Sequence, residues 1–143
     1  MFIRSLTDCD EIIAGDGTKL RELLHPERGY KFGGRYSLAH ATVGVGERSR
    51  PHKMKTSEVY FILSGEGKMH IGEKEAIVLV GDAYEVPAGE VQWIENDGSE
   101  PLVFLCIVDP AWRSEDEEIA VFYVVRVAQP RRWRGHSVGP SAL

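Results

Sequence analysis

The sequence predicts an all-β protein, an antiparallel sandwich or barrel, and three observations carry that expectation. From Tyr36 to Asp109, short segments rich in Val, Ile, Tyr and Phe alternate with clusters of Gly, Pro, Asp and Asn, the spacing of strands and turns. No long helical pattern separates them, which removes the βαβ alternatives. The chain has 143 residues, enough for one core of ordinary size.

In chain order, residues 1–35 read as an N-terminal arm: a short apolar run, the turn-forming AGDGT, and a helix-like KLRELLHP that Pro26 would stop. Seven strand candidates follow: YSLAHATVGV, EVYFILS, GKMHIG, EAIVLV, AYEVPA, VQWIEN and PLVFLCIVD. They span about residues 36–109 and make up the sandwich or barrel. Residues 110–143 form a C-terminal extension. Within it SEDEE is a polar break, and IAVFYVVRV (119–127) is a further β-rich run with eight apolar residues in nine. A strand that apolar does not lie bare at an edge, so it either closes the sheet or pairs with a second subunit. A homodimer is therefore expected. The last ten residues show no periodicity and are expected to be mobile.

Composition narrows the partners. The net charge is −5, which disfavours a general phosphate-binding surface and makes nucleic acid an unlikely ligand. The local exception is Arg131, Arg132, Trp133 and Arg134, a short basic-aromatic cluster of the kind that can touch nucleic acid; a solvated tail tip is the plainer account. No apolar run approaches the ~20 residues of a membrane span. The start, MFIRSLTDCDEII, lacks the apolar segment of a secretory signal. Cys9 and Cys106 are far apart, with no metal or redox spacing. A cytoplasmic location with two free thiols is expected.

Two stretches carry the chemistry: GERSRPHKMKTSEVYFILSG, and fifteen residues later GDAYEVPAGEVQWIEN. Side chains alternate along a strand. His52 and Met54 therefore share one face, Glu58, Tyr60 and Ile62 another, and Gln92, Ile94 and Asn96 a third with Trp93 opposite. Gly65, Gly81 and Gly89 suit tight connections that need positive φ. An inward carboxylate is costly unless paired or metal-bound, which marks Glu58. His52 reads as a site residue or as a structural histidine on a carbonyl, Gln92 as a ligand or a hydrogen-bonding wall. Met54 is a weak thioether ligand or a core filler. Tyr60 lines the cavity or packs in the core. Cys106 shares a parity with Phe104 and Val108, so it points into the barrel or packs as a small hydrophobe in the other layer. His40 reads as a surface or core-edge residue. His25 falls in the arm and His70 on the outer face of GKMHIG.

These two stretches resemble the paired motifs of the cupin superfamily, G-x5-H-x-H-x(3,4)-E-x6-G and G-x5-P-x-G-x2-H-x3-N. Gly46, His52, Glu58 and Gly65 match the first and Gly81, Pro87, Gly89 and Asn96 the second, so eight of ten marked positions agree. The departures are Met54 and Gln92, each standing where the motif has histidine. The resemblance covers about residues 36–109 and implies a small, single-domain antiparallel jelly-roll barrel, commonly dimeric, with its site inside the mouth. It further implies metal ligands at the positions of His52, Met54, Glu58 and Gln92, hence a divalent first-row ion such as iron, manganese, nickel, copper or zinc. With one imidazole, one carboxylate, an amide and a thioether, the donors do not agree on one metal. His52, Glu58 and Gln92 are the expected ligands; Tyr60, Met54 and Cys106 are expected to contact substrate.

Two functions follow. In the first the protein is an enzyme of isomerase, cyclase or dioxygenase type, acting on a small oxygenated molecule such as a sugar or keto acid. A metal would polarise a carbonyl or hydroxyl, and His52 or Glu58 would move a proton. In the second it is a metal-free cupin that holds a small ligand without turnover.

Overall fold

The computed structural model describes residues 1–121. Eleven strands are present among them: β1 (Ile12–Ile13), β2 (Lys19–Leu24), β3 (Ser37–Val43), β4 (His52–Met54), β5 (Ser57–Ser64), β6 (Gly67–Ile71), β7 (Lys74–Val78), β8 (Ala83–Val86), β9 (Gln92–Glu95), β10 (Leu102–Asp109) and β11 (Glu117–Ile119). They form two antiparallel sheets, ordered β1-β2-β3-β10-β5-β8 and β11-β4-β9-β6-β7. Neighbours distant in sequence, such as β3 beside β10 and β10 beside β5, give the jelly-roll pattern.

The core lies between the sheets, where alternate side chains of each strand point inward. Along β5, Glu58, Tyr60 and Ile62 are buried while Val59, Phe61 and Leu63 are exposed. Ala41, Ile62, Leu102 and Phe104 of the larger sheet meet Met69, Val78 and Ile94 of the smaller one. Gly65 has φ 77°, and a Cβ there would lie 2.5 Å from the Pro101 carbonyl oxygen. Only glycine satisfies both the left-handed conformation and that approach.

The expected strands are all present, but the N-terminal region differs from expectation. KLRELL is not helical; it forms β2, paired along its length with β3. The AGDGT turn explains this. Ala14 N–H donates to Thr18 O, Gly17 N–H to Ala14 O, and the Asp16 carboxylate accepts from both the Thr18 N–H and hydroxyl. That turn folds residues 19–24 back along β1 and onto the β3 edge, where ladder hydrogen bonds and burial outweigh the helix preference of Lys, Leu, Arg and Glu. His25 is fully buried. Its Nε2 donates to Trp112 O and its Nδ1 accepts from Glu27 N–H, so it ties this region to the chain after β10.

His70 does lie opposite the core parity of β6, yet it is not open to solvent. It stacks on Trp93 at 4.2 Å and 7° and is 6% exposed. Of the apolar run 119–127, Ile119 ends β11 against His52 of β4. The remainder from residue 122, and the Arg131–Arg134 cluster, lie outside the described residues. No helix among the described residues is long and apolar enough to cross a membrane.

Candidate functional site

A cavity of about 530 Å³ opens between the sheets, and all six residues singled out from the sequence line it: His52, Met54, Glu58, Tyr60, Gln92 and Cys106. Small side chains on β3, Ala39 and Ala41, line it as well. The two motifs converge through strand pairing. His52 sits directly across from Gln92 in the β4–β9 ladder, while Tyr60 is registered with Cys106 across β5–β10. Cys106 thus points inward, resolving its two readings in favour of the cavity.

Glu58 is the hub. It is buried, and three donors converge on its carboxylate: Gln92 Nε2 and Tyr60 Oη on one oxygen, the latter at 3.5 Å, and Cys106 Sγ on the other at 3.6 Å. Burial pushes the Glu58 carboxyl above its ordinary range, against the charge of His52 and the hydrogen bonds from Gln92 and Cys106, which lower it. Burial likewise raises Cys106 and Tyr60, with the Glu58 charge adding to both. Both therefore stay protonated as donors to Glu58. His52 donates from Nδ1 to the Arg50 carbonyl at 2.8 Å. In the neutral ring this leaves the lone pair on Nε2.

Asn96 serves the scaffold. Its amide nitrogen bonds Val43 O and Glu100 O, and its Oδ1 accepts from Gly98 N–H, joining two loops at the rear of the sheets. Met54 is buried and contributes thioether surface to the cavity. His40 is half-buried on the face of β3 opposite Ala39 and Ala41.

The motif resemblance implies a divalent first-row metal at these positions, and the donors present bear on it directly. One imidazole is poised in the manner of a metal ligand, its other nitrogen on a carbonyl. The remaining donors do not match. The Glu58 oxygens are already occupied by Gln92, Tyr60 and Cys106, and Gln92 turns its nitrogen, which cannot ligate, toward Glu58. Among the described residues no three His, Cys, Asp or Glu side chains are grouped to hold an ion. The set fits a first-row dication poorly.

Several cavity residues were not singled out from the sequence. Asp16 lines the cavity with its Oδ2 3.9 Å from His52 Nδ1, and Glu117 lines it while accepting from Trp112 Nε1 at 3.2 Å. Arg4 lines it from the N-terminal segment, stacked 4.6 Å over Tyr30. Asp16 was visible only as a turn residue of AGDGT. Nothing local marks Glu117 or Arg4.

The fold and site define a jelly-roll protein with a polar network at the centre of its cavity, and comparison with known proteins agrees. The cupin-domain family model matches residues 39–108. An uncharacterised protein of Methanocaldococcus jannaschii is 43% identical over 117 residues, covering 79% of this chain and 92% of that protein. The chain belongs to the cupin superfamily. It is also 39% identical over 51 residues to an oxalate-binding protein of Thermotoga maritima, covering 36% of this chain and 42% of that one. The crystal structure of a predicted oxalate decarboxylase of Thermotoga maritima superposes with a TM-score of 0.65 at 25% identity, covering 75% of this chain and 97% of the other. A polyketide cyclase of Streptomyces resistomycificus shares the fold, with a TM-score of 0.65 at 20% identity over 76% and 78% of the two chains.

Proposed function

We propose that this cupin binds a small oxygenated molecule in the cavity between its sheets and that Glu58, with His52, exchanges a proton with it, as an isomerase or cyclase does. The observation that carries this reading is the Glu58 hub: a buried carboxyl that holds its proton more tightly than usual, fixed by Gln92, Tyr60 and Cys106 in a cavity of about 530 Å³. A carboxyl raised by burial sits closer to neutral pH, where it both gives and takes a proton efficiently. His52 Nε2 offers a second acceptor, Met54 shapes the wall, and the Tyr60 and Cys106 donors hold the carboxyl in orientation. The related proteins from Thermotoga maritima support a small-molecule ligand as a class.

The replacement of two motif histidines by Met54 and Gln92 favours a second reading, in which the cavity binds its ligand without turnover. Proton NMR in D₂O separates the two. Aldoses, ketoses and 2-keto acids are incubated with protein dialysed against EDTA. Deuterium entering beside the carbonyl, lost in Glu58→Gln, supports the enzyme reading. Ligand-induced shifts without exchange support binding alone. Exchange that EDTA abolishes and Mn²⁺ restores would instead make the site a metal centre of His52, Glu58 and Gln92, with dioxygenase chemistry open to it.

A homodimer in the cytoplasm completes this proposal. The outer face of the larger sheet carries Val59, Phe61, Leu63 and Ile107, each 37–41% exposed, an apolar surface suited to a second subunit. Cys9 and Cys106 are free thiols, as a reducing compartment favours.

A further inference from the structure

The cavity wall has an imbalance that bears on what the ligand must be, given that the cavity is the ligand site proposed above. Five carboxylates line it, from Asp10, Asp16, Glu22, Glu58 and Glu117, against two guanidiniums, from Arg4 and Arg28. Arg28 and Glu22 cancel, since Arg28 Nε and Nη2 grip Glu22 at 2.7 and 3.1 Å, which leaves four carboxylates against Arg4. Arg4 lies on the N-terminal segment over the Tyr30 ring rather than on either sheet. The cation-capable group beside Asp16 and Glu58 is His52, whose Nδ1 lies 3.9 Å from Asp16 Oδ2 and is directed to Arg50 O; among the described residues no lysine or arginine pairs with Asp16, Glu58 or Glu117.

The hydrogen-bond inventory tilts the same way. The Gln92 nitrogen, the Tyr60 hydroxyl and the Cys106 thiol are directed to Glu58. The Thr18 hydroxyl is directed to Asp16, Trp112 Nε1 to Glu117, and His52 Nδ1 to Arg50 O. The hydroxyls of Ser37 and Ser49 accept from Trp112 N–H and Ile94 N–H and remain neutral groups that can turn either way. At Gln92 an acceptor is left over, while on the N-terminal segment Arg4 Nε is a buried donor without a partner. Gln92 is 1% exposed and its Oε1 has no hydrogen-bond partner. A buried carbonyl without a donor is costly, and a ligand N–H relieves it.

We infer that the ligand presents a cationic N–H donor, a protonated amine on a small and partly apolar body, to the wall formed by Asp16, Glu58, Gln92 and Glu117. An oxalate-like dianion brings only acceptors and negative charge to this wall, which already has both in excess, so it is disfavoured there. Keto acids are disfavoured for the same reason, which narrows the ligand class toward amino-substituted carbonyl or polyol compounds. The apolar part of the ligand rests on Ile94, Phe104 and Met69, which also line the cavity.

The test uses four probes with the full-length, EDTA-treated protein at pH 7: cyclohexylamine, cyclohexanol, cyclohexanecarboxylate and oxalate, titrated by heteronuclear NMR. The expected result is that cyclohexylamine shifts resonances of cavity residues and binds about tenfold more tightly than cyclohexanol, with the carboxylate and oxalate weaker still. Asp16→Asn should remove most of that preference. Should the Asp16 variant fold poorly through loss of its turn, Glu117→Gln should reduce it in the same direction. Carboxylate or oxalate binding more tightly than the amine would overturn this inference while leaving the cavity a ligand site. No cavity shifts with any probe would overturn both this inference and the reading beneath it. Displacement of the amine by stoichiometric Mn²⁺ or Zn²⁺ would assign the acceptor wall to a metal ion and overturn the amine.

Discussion

The amide nitrogen of Gln92 donates to the carboxylate of Glu58 inside the cavity. Gln92 occupies the position at which the second cupin motif carries histidine, so a residue expected to share a metal with Glu58 bonds Glu58 directly. Burial of the pair makes Glu58 hold its proton more tightly, against the Gln92 hydrogen bond, which favours the carboxylate.

That relationship predicts a pH signature. Burial raises the Glu58 carboxyl above its ordinary value of 4.5, so the folded protein holds this proton more tightly than the unfolded chain does. Its contribution to stability is fully present below 4.5 and is lost as pH rises from there through the folded value. Glu58→Gln should therefore be relatively more stable than wild type at neutral pH, with the difference shrinking toward pH 4. Urea melts across that range check this; an unchanged difference would show that Glu58 is not protonated preferentially in the fold.

Restoring the motif should restore metal binding. Met54→His with Gln92→His supplies two imidazoles beside His52 and Glu58 and frees the Glu58 carboxylate from the amide. Elemental analysis should find about one zinc or manganese ion per chain in the double variant and only traces in wild type. Equal occupancy in the two proteins would sink the argument from the donor set.

His70 should report on acid stability from the opposite side of the smaller sheet. Desolvation lowers it from its ordinary value of 6.5, partly offset by Glu95 and Glu75, while Lys68 and Arg48 add to the lowering. Here the folded state binds the proton less tightly than the unfolded chain. Stability is present above 6.5 and is lost as pH falls from 6.5 through the folded value. His70→Phe, which keeps a ring against Trp93, should flatten the melting-temperature profile over that window.

Two scaffold residues should show contrasting costs. Ile62→Ala removes a side chain that is 0% exposed and should cost about 2–5 kcal/mol by leaving a cavity in the core. Asn96→Ala strips the partners of Val43 O and Glu100 O and should cost about 1–3 kcal/mol. Neither should alter ligand preference, since neither lines the cavity. Chemical denaturation measures both costs.

The β-branched and aromatic content of EVYFILS and PLVFLCIVD was sufficient to mark strands, but both parities there are apolar, so the packing of the two sheets decides which face is inward. The resemblance to the paired cupin motifs likewise implied that His52, Met54, Glu58 and Gln92 would meet, and all four line the cavity. KLRELL misled because its helix preference is local, whereas its partner, β3, is supplied only once the AGDGT turn has brought the two together. Asp16 and Glu117 become cavity residues only through β2 and β11, whose pairings join distant parts of the chain. Which atom of Gln92 faces Glu58, and how many donors are already spent there, depends on side chains from β5, β9 and β10 converging at one carboxyl. Spacing determines which residues share a face; charge and hydrogen-bond balance arise between faces, and only the tertiary structure decides them.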